Sequence, residues 1–298
     1  MASFLSLPAE LKLSIVEQLD HASTSFIPGP SQDLLNFGYV CKAFRDLTLP
    51  YIFRDLVLLN DERSGSSVRA IFESSLAKLV HSVHYIGVME MPSKDRMENA
   101  PEPSPEGLPL TVEQVLCSLN RLPNLERTVV EFRSAKDAVE DESIYQGSYD
   151  HFEELESYEE VLESEKRDAY RSLMKRSYDA LARNPASTIR NLELRNFTPK
   201  WCSSWERIEL QALLKQISSF MISLRGGDNG VGWQINKVPA YLTFVESLDS
   251  FFFKHLLQTI IFRSSATIHG PPGLPGGLNK AGLPLKHDQL PNLRRLKL

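Results

Sequence analysis

A short phrase occurs twice in this chain and limits what the chain can fold into: Leu122-Pro-Asn-Leu-Glu-Arg127 returns as Leu290-Pro-Asn-Leu-Arg-Arg295. Each copy leads into a mainly apolar template with residues at i, i+3 and i+5, Leu125/Thr128/Val130 in the first and Leu293/Leu296/Leu298 in the second. The same template fits Phe53/Leu56/Leu58, Val83/Ile86/Val88, Ile189/Leu192/Leu194 and Leu257/Ile260/Phe262. Alone it means little, because at 42% apolar residues a chance match has a probability of about 0.07, or roughly twenty hits along the chain. The phrase and the template in one register carry the constraint: a turn delivers the chain into a short strand, again and again. Parallel strands need crossover connections of about a dozen residues or more, so the stretches between them are predicted to be helical.

Two amphipathic stripes fit that role. Leu210, Leu213, Leu214, Ile217, Phe220, Met221 and Leu224 form one, and Tyr241, Val245, Leu248 and Phe252 the other. Three insertions interrupt the pattern, at 92–109 and 270–284, rich in proline with glutamate and serine or with glycine, and at 137–165. The last holds twelve Asp or Glu and no Lys or Arg, and is followed from Lys166 to Arg207 by ten basic against four acidic residues. A solvent-facing insertion is expected there, with one long helix around Leu155, Leu162, Tyr170, Leu173, Tyr178 and Leu181 crossing the sign change. The sixth template ends at Leu298, leaving the final strand without a covering helix; this is expected of a truncated chain or of one capped by a partner.

Most chemical sites fail on inspection. Gly226-Gly-Asp-Asn-Gly-Val-Gly232 lacks the Lys-Ser/Thr of a phosphate-binding loop and reads as a turn. His81 and His84, an odd number apart on a strand, point to opposite faces with no local carboxylate or thiol to complete a metal site. Cys41, Cys117 and Cys202 are unpaired in spacing, which argues against a disulfide framework or zinc module. A net charge of -5 argues against binding nucleic acid through a general basic surface. No apolar run approaches the ~20 residues that span a bilayer. No catalytic, cofactor-binding or metal-binding residues are assigned, and an enzyme with a dispersed site ranks last among the readings.

The first fifty residues are a helical unit: Leu11, Ile15, Val16 and Leu19 follow Pro8 on one face, a loop fills His21 to Gln32, and two short helices carry Leu34, Leu35, Phe37, Val40, Phe44 and Leu47 before Pro50 ends the run. Leu7-Pro-Ala-Glu-Leu11, Ile15, Leu19, Asp33-Leu-Leu35, Val40-Cys-Lys-Ala-Phe-Arg45, Pro50 and Phe53 together resemble an F-box. The loop from His21 to Gln32 is longer than the compact motif, and Phe44 stands where tryptophan is frequent. The resemblance implies a three-helix F-box domain at 1–55; combined with the strand–helix pattern of the rest, the chain looks like fungal F-box proteins with leucine-rich-like tails, an α/β fold whose residues 56–298 form an irregular leucine-rich-repeat-like β/α solenoid with a parallel sheet. Template steps of 30, 42, 64, 68 and 36 residues, by subtraction, exceed the ~20 to 29 of regular leucine-rich repeats.

The implied function is that of a substrate-recognition adaptor of an SCF-type, cullin-RING ubiquitin ligase, as in fungal F-box proteins. It would be non-catalytic, without cofactor, and cytoplasmic or nuclear. It would bind an SKP-family adaptor, and cullin through it, by Leu7, Pro8, Leu11, Ile15, Leu19, Leu34, Leu35, Val40, Cys41, Lys42, Phe44 and Arg45, and a protein substrate by the repeat region. An F-box scaffold acting without ubiquitination is the alternative.

Overall fold

The computed structural model describes residues 7–21, 29–89, 107–134, 158–167, 169–197, 202–224, 259–264 and 294–297. It opens with three helices, α1 (Ala9–His21), α2 (Gln32–Val40) and α3 (Lys42–Ile52). Ser31 caps α2 by accepting the Leu34 N–H at 3.1 Å, and the same hydroxyl donates back to the Leu19 carbonyl, tying α2 to the end of α1. Pro50 does not end α3: it lies inside the last turn, where the helix loses one donor but still closes with Phe53 N–H on Leu49 O at 3.0 Å.

Seven strands follow, β1 (Asp55–Leu59), β2 (Ser82–Met89), β3 (Arg127–Ser134), β4 (Asn191–Phe197), β5 (Ser219–Leu224), β6 (Thr259–Ser264) and β7 (Arg295–Lys297). They form one sheet, all parallel, each strand beside the next in sequence. Between them run α4 (Glu62–Phe72) after β1, α5 (Leu110–Leu116) after β2, α6 (Tyr158–Arg167) and α7 (Ala169–Arg183) after β3, and α8 (Ile208–Lys215) after β4. The α/β class and the parallel sheet expected from the sequence are therefore present.

The register aligns Leu56, Val83, Thr128, Leu192, Phe220, Ile260 and Leu296. Two sequence readings need correction. In β2 the template is Val80/Val83/Tyr85 rather than Val83/Ile86/Val88; Val83 pairs with Leu56 and Tyr85 with Leu58, so Ile86 belongs to the opposite face. The stripe from Leu210 to Leu224 is not one helix: α8 stops at Lys215, and Ile217, Phe220 and Met221 lead into or lie on β5. The short steps β1 to β2 and β4 to β5, 27 and 28 residues by subtraction of the aligned positions, fall within the ~20–29 of compact repeats.

The strand starts share one construction. Val80, Leu125, Ile189 and Ile217 each donate their N–H to the carbonyl three residues back, so a tight turn precedes each strand. One carbonyl of the preceding repeat then accepts two consecutive N–H groups of the next: Arg54 from His81 and Ser82, His81 from Glu126 and Arg127, Glu126 from Arg190 and Asn191, Arg190 from Ser218 and Ser219. Side chains extend the ladder, with Asn124 Nδ2 on Lys78 O at 2.6 Å, Thr188 Oγ1 on Leu125 O at 2.6 Å and Gln216 Nε2 on Ala186 O at 3.1 Å. Asn124, in the first copy of the repeated phrase, is thus a stitch to the previous turn, bonding a carbonyl outside the strands.

One continuous core lies between the helices and the sheet face of Leu56, Leu58, Val83, Tyr85, Val130, Phe132, Leu192, Leu194 and Phe220. Edge-to-face aromatic pairs run through it, Tyr85 on Phe132, Phe132 on Tyr178 and Tyr178 on Trp205, each with centroids 6.3 Å apart. Between α4 and α5 the backbones approach so closely that a Cβ on Gly65 would stand 2.8 Å from the Val112 nitrogen.

The acidic run also departs from expectation at its carboxyl end. Two helices, α6 and α7, stand where one was predicted, and Glu165 pairs with Lys175 at 3.0 Å. Ten residues along a straight helix span about 15 Å, so the chain must double back between them. Val161 and Glu165 are buried, which removes this end from a solvent-facing insertion. Residues 137–157, the insertions at 92–106 and 270–284, the glycine turn at 226–232 and the stripe from Tyr241 to Phe252 lie outside the described residues.

Candidate functional site

Of the residues expected to bind an adaptor, Leu11 is 52% exposed, Ile15 37% and Val40 66%, with Pro8, Lys42 and Arg45 also on the surface. Leu7, Leu19, Leu35 and Cys41 are half-buried. Leu34 and Phe44 are interior. The Phe44 ring stacks on Phe37 at 4.4 Å with planes 8° apart, so the position where tryptophan is frequent holds α3 against α2. Two exposed apolar side chains were missed: Leu13 on α1 and Tyr39, 75% exposed, at the end of α2. Helical spacing gave no signal for Tyr39, since it lies four residues after the half-buried Leu35 and so on that residue's own flank of α2.

α1 buries Val16 alone among its described apolar side chains. An amphipathic helix normally turns its apolar stripe to a core; this one leaves Leu11, Leu13 and Ile15 in solvent. The salt bridge from Arg54 to Asp20, 3.0 Å, links its end to the start of β1.

The second candidate is the sheet face turned away from the core. Glu193 Oε1 takes Arg127 Nε at 2.8 Å and Nη2 at 2.7 Å, while its Oε2 takes Arg195 Nη2 at 2.8 Å. One strand back, Glu131 Oε2 lies 2.7 Å from His84 Nε2, and its Oε1 accepts from Arg133 Nε. His84 and Glu131 are 5% and 4% exposed. Burial works to raise the Glu131 carboxyl, but the hydrogen bonds from His84 and Arg133, with the arginine charge, outweigh it and hold it at about 2. His81 and His84 do part, as their spacing requires, His81 being exposed ahead of β2. The expectation that no carboxylate stands near is corrected: Glu131 comes from the next strand, which local sequence cannot reveal. Among the described residues no group of three potential ligands is placed to hold a metal ion.

A third cluster joins α6, α7 and the turn at Ser203–Glu206. Glu165 accepts from the Ser203 N–H at 2.7 Å, lies 2.6 Å from its hydroxyl, and pairs with Lys175. A serine beside a lysine is a nucleophile arrangement only when the amine is free to take a proton. Here the carboxylate engages both groups, so the cluster acts as a clamp closing the α6–α7 bend. The nearby Cys202 thiol is pushed up to about 12, chiefly by burial, and is no thiolate at neutral pH.

No helix among the described residues is long and apolar enough to cross a membrane. Compared with known families and curated proteins, the chain matches no family model and no curated protein.

Proposed function

We propose that this chain is a substrate-recognition adaptor of an SCF-type, cullin-RING ubiquitin ligase, in which α1–α3 dock on an SKP-family adaptor and the sheet region takes a protein substrate. The observation that supports the reading most is the apolar surface of the helical unit: Leu11, Leu13, Ile15, Tyr39 and Val40 stand exposed on helices whose shared interior is built from Val16, Leu34 and Phe44. Leu11 and Ile15, four residues apart, share one flank of α1; exposed apolar side chains of this kind are what a partner surface covers, and they sit within the stretch that resembles an F-box.

The division of labour follows from burial. Leu34 and Phe44 shape the unit; Leu11, Ile15 and Val40 meet the partner. The test is affinity for a purified SKP-family adaptor. Interface anchors typically cost about 2 kcal/mol or more on truncation, and about 1.4 kcal/mol is tenfold, so Leu11→Ala with Ile15→Ala weakens binding at least tenfold while leaving unfolding of the chain nearly unchanged. Unaltered affinity in the folded double variant refutes the reading. Adaptor binding without cullin or ubiquitinated targets would favour a scaffold over a ligase subunit.

A further inference from the structure

The crossover helices α4 and α5 meet at one end and part at the other. A Cβ on Gly65 would reach the Val112 nitrogen at 2.8 Å, and Thr111 Oγ1 donates to Glu62 Oε2 at 2.6 Å, so the amino-terminal ends are closed on each other. Toward the carboxyl ends a groove of about 340 Å³ opens, with the buried Phe72 and Val115 in its lining. The rest of the lining is polar: Arg69 and Glu73 on the α4 side, Gln114 on α5, and Ser118 and Arg121 just beyond it. Arg69 spans the opening, with Nη1 on Gln114 Oε1 at 3.0 Å and Nε on Glu73 Oε1 at 3.4 Å. The groups left over are mostly donors. Among the described residues the Arg121 guanidinium, the Ser118 hydroxyl and Gln114 Nε2 have no hydrogen-bond partner, and Glu73 Oε2 is left as an acceptor. The helix-end carbonyls do not take up these donors, since those of Arg69, Ile71, Glu113 and Val115 already accept from the N–H groups of Glu73, Ser74, Cys117 and Ser118.

We propose that this groove binds the carboxyl-terminal end of a peptide. The terminal carboxylate meets Arg121, Ser118 and the Gln114 amide, the N–H of the last residue donates to Glu73, and an apolar last side chain lies against Phe72 and Val115. A guanidinium presents a planar fork that holds a carboxylate by two parallel bonds, and two arginines against one glutamate leave the groove with one positive charge in excess. Capture of a chain end through its carboxylate is a recurring mode of peptide recognition. A volume of about 340 Å³ is at the small end of ligand sites, which run about 300–1,000 Å³, so the groove takes a chain end rather than a folded partner. Inorganic phosphate fits less well, because it offers no N–H to Glu73 and nothing apolar to Phe72 and Val115. The inference goes beyond the proposed function and does not depend on it, since the groove shares no residue with α1–α3.

The test is fluorescence anisotropy of the full chain with a pentapeptide of glycine and serine that ends in valine and carries fluorescein at its amino end. The free acid binds saturably, and the same peptide closed by a carboxyl-terminal amide binds at least about tenfold more weakly. Arg121→Gln, at an exposed position, lowers affinity for the free acid at least about fivefold and narrows its advantage over the amide. Should that variant lose its fold by circular dichroism, Ser118→Ala lowers affinity at least about twofold. Adaptor affinity, measured on the same preparations, stays unchanged in both variants, so failure at the groove and failure at α1–α3 are read separately. No saturable binding of the free acid, equal binding of the amide, undiminished binding by the folded variants, or binding of inorganic phosphate by a chain that does not bind the peptide overturns the inference.

Discussion

Replacing Glu131 by glutamine tests whether the buried charge network on the sheet is structural. The carboxylate contacts His84 Nε2 at 2.7 Å and Arg133 Nε, and is 4% exposed. Its carboxyl is held at about 2 against an ordinary 4.5. Some 2.5 pH units at about 1.36 kcal/mol each give up to about 3 kcal/mol favouring the folded state. A carboxyl depressed on folding contributes fully above its unfolded value and loses that contribution as pH falls toward its folded one. The window is therefore about pH 4.5 down to 2. Glutamine keeps the shape but not the charge, and leaves Arg133 facing a neutral amide, so about 3 kcal/mol is lost at pH 7. Urea unfolding of both proteins between pH 7 and pH 3.5 measures the gap. Below about pH 4.5 it should close by about 1.4 kcal/mol per unit, leaving roughly 2 kcal/mol at pH 3.5. A gap that stays flat to pH 3.5, or one below about 0.5 kcal/mol at pH 7, refutes the reasoning.

Gly65→Ala is expected to destabilise by about 1–2 kcal/mol in urea, although alanine is the better helix former, because the new Cβ meets the Val112 nitrogen at 2.8 Å and backbone cannot yield as a side chain would; a stabilised variant would remove the close α4–α5 approach from the account. Thr128→Val should do the reverse and raise the unfolding free energy measured in urea by about 1 kcal/mol, because Thr128 fills a core slot held by Leu56, Val83 and Leu192 on neighbouring strands and its buried Oγ1 has no hydrogen-bond partner. No gain, or a loss, would mean that the hydroxyl is satisfied.

The parallel sheet was legible because its signal lies at the strand starts. The turn and apolar slots around Leu122–Val130 recur at Ala186–Leu194, and both are confirmed by identical turn bonds and register. The two misreadings have one cause. Apolar residues at i, i+3 and i+5 mark a strand only once its neighbour fixes the phase, and in β2 both Val80/Val83/Tyr85 and Val83/Ile86/Val88 satisfy the pattern. A parallel strand buried on both faces gives near-continuous apolar sequence, which hides the phase; Ile86 is 1% exposed and Tyr85 0% on opposite faces. The stripe from Leu210 to Leu224 fails similarly, since α8 and β5 abut with only Gln216, Ile217 and Ser218 between them and no glycine or proline to mark the break.

The surfaces divide along the same line. At the helices, a residue's environment is set within a few positions, so Leu11, Ile15 and Val40 could be named from sequence and stand exposed. On the sheet, each charged partner lies one crossover away. His84 meets Glu131 across 47 residues, and Arg127 meets Glu193 across 66. Such pairs become visible only when register is known, and register here follows from carbonyls at Arg54, His81, Glu126 and Arg190 that each gather two N–H groups of the next repeat. Crossovers of very different length can therefore be exchanged or extended without disturbing which side chains share the sheet surface. Which charges meet on that surface is consequently a property of strand positions rather than of the loops.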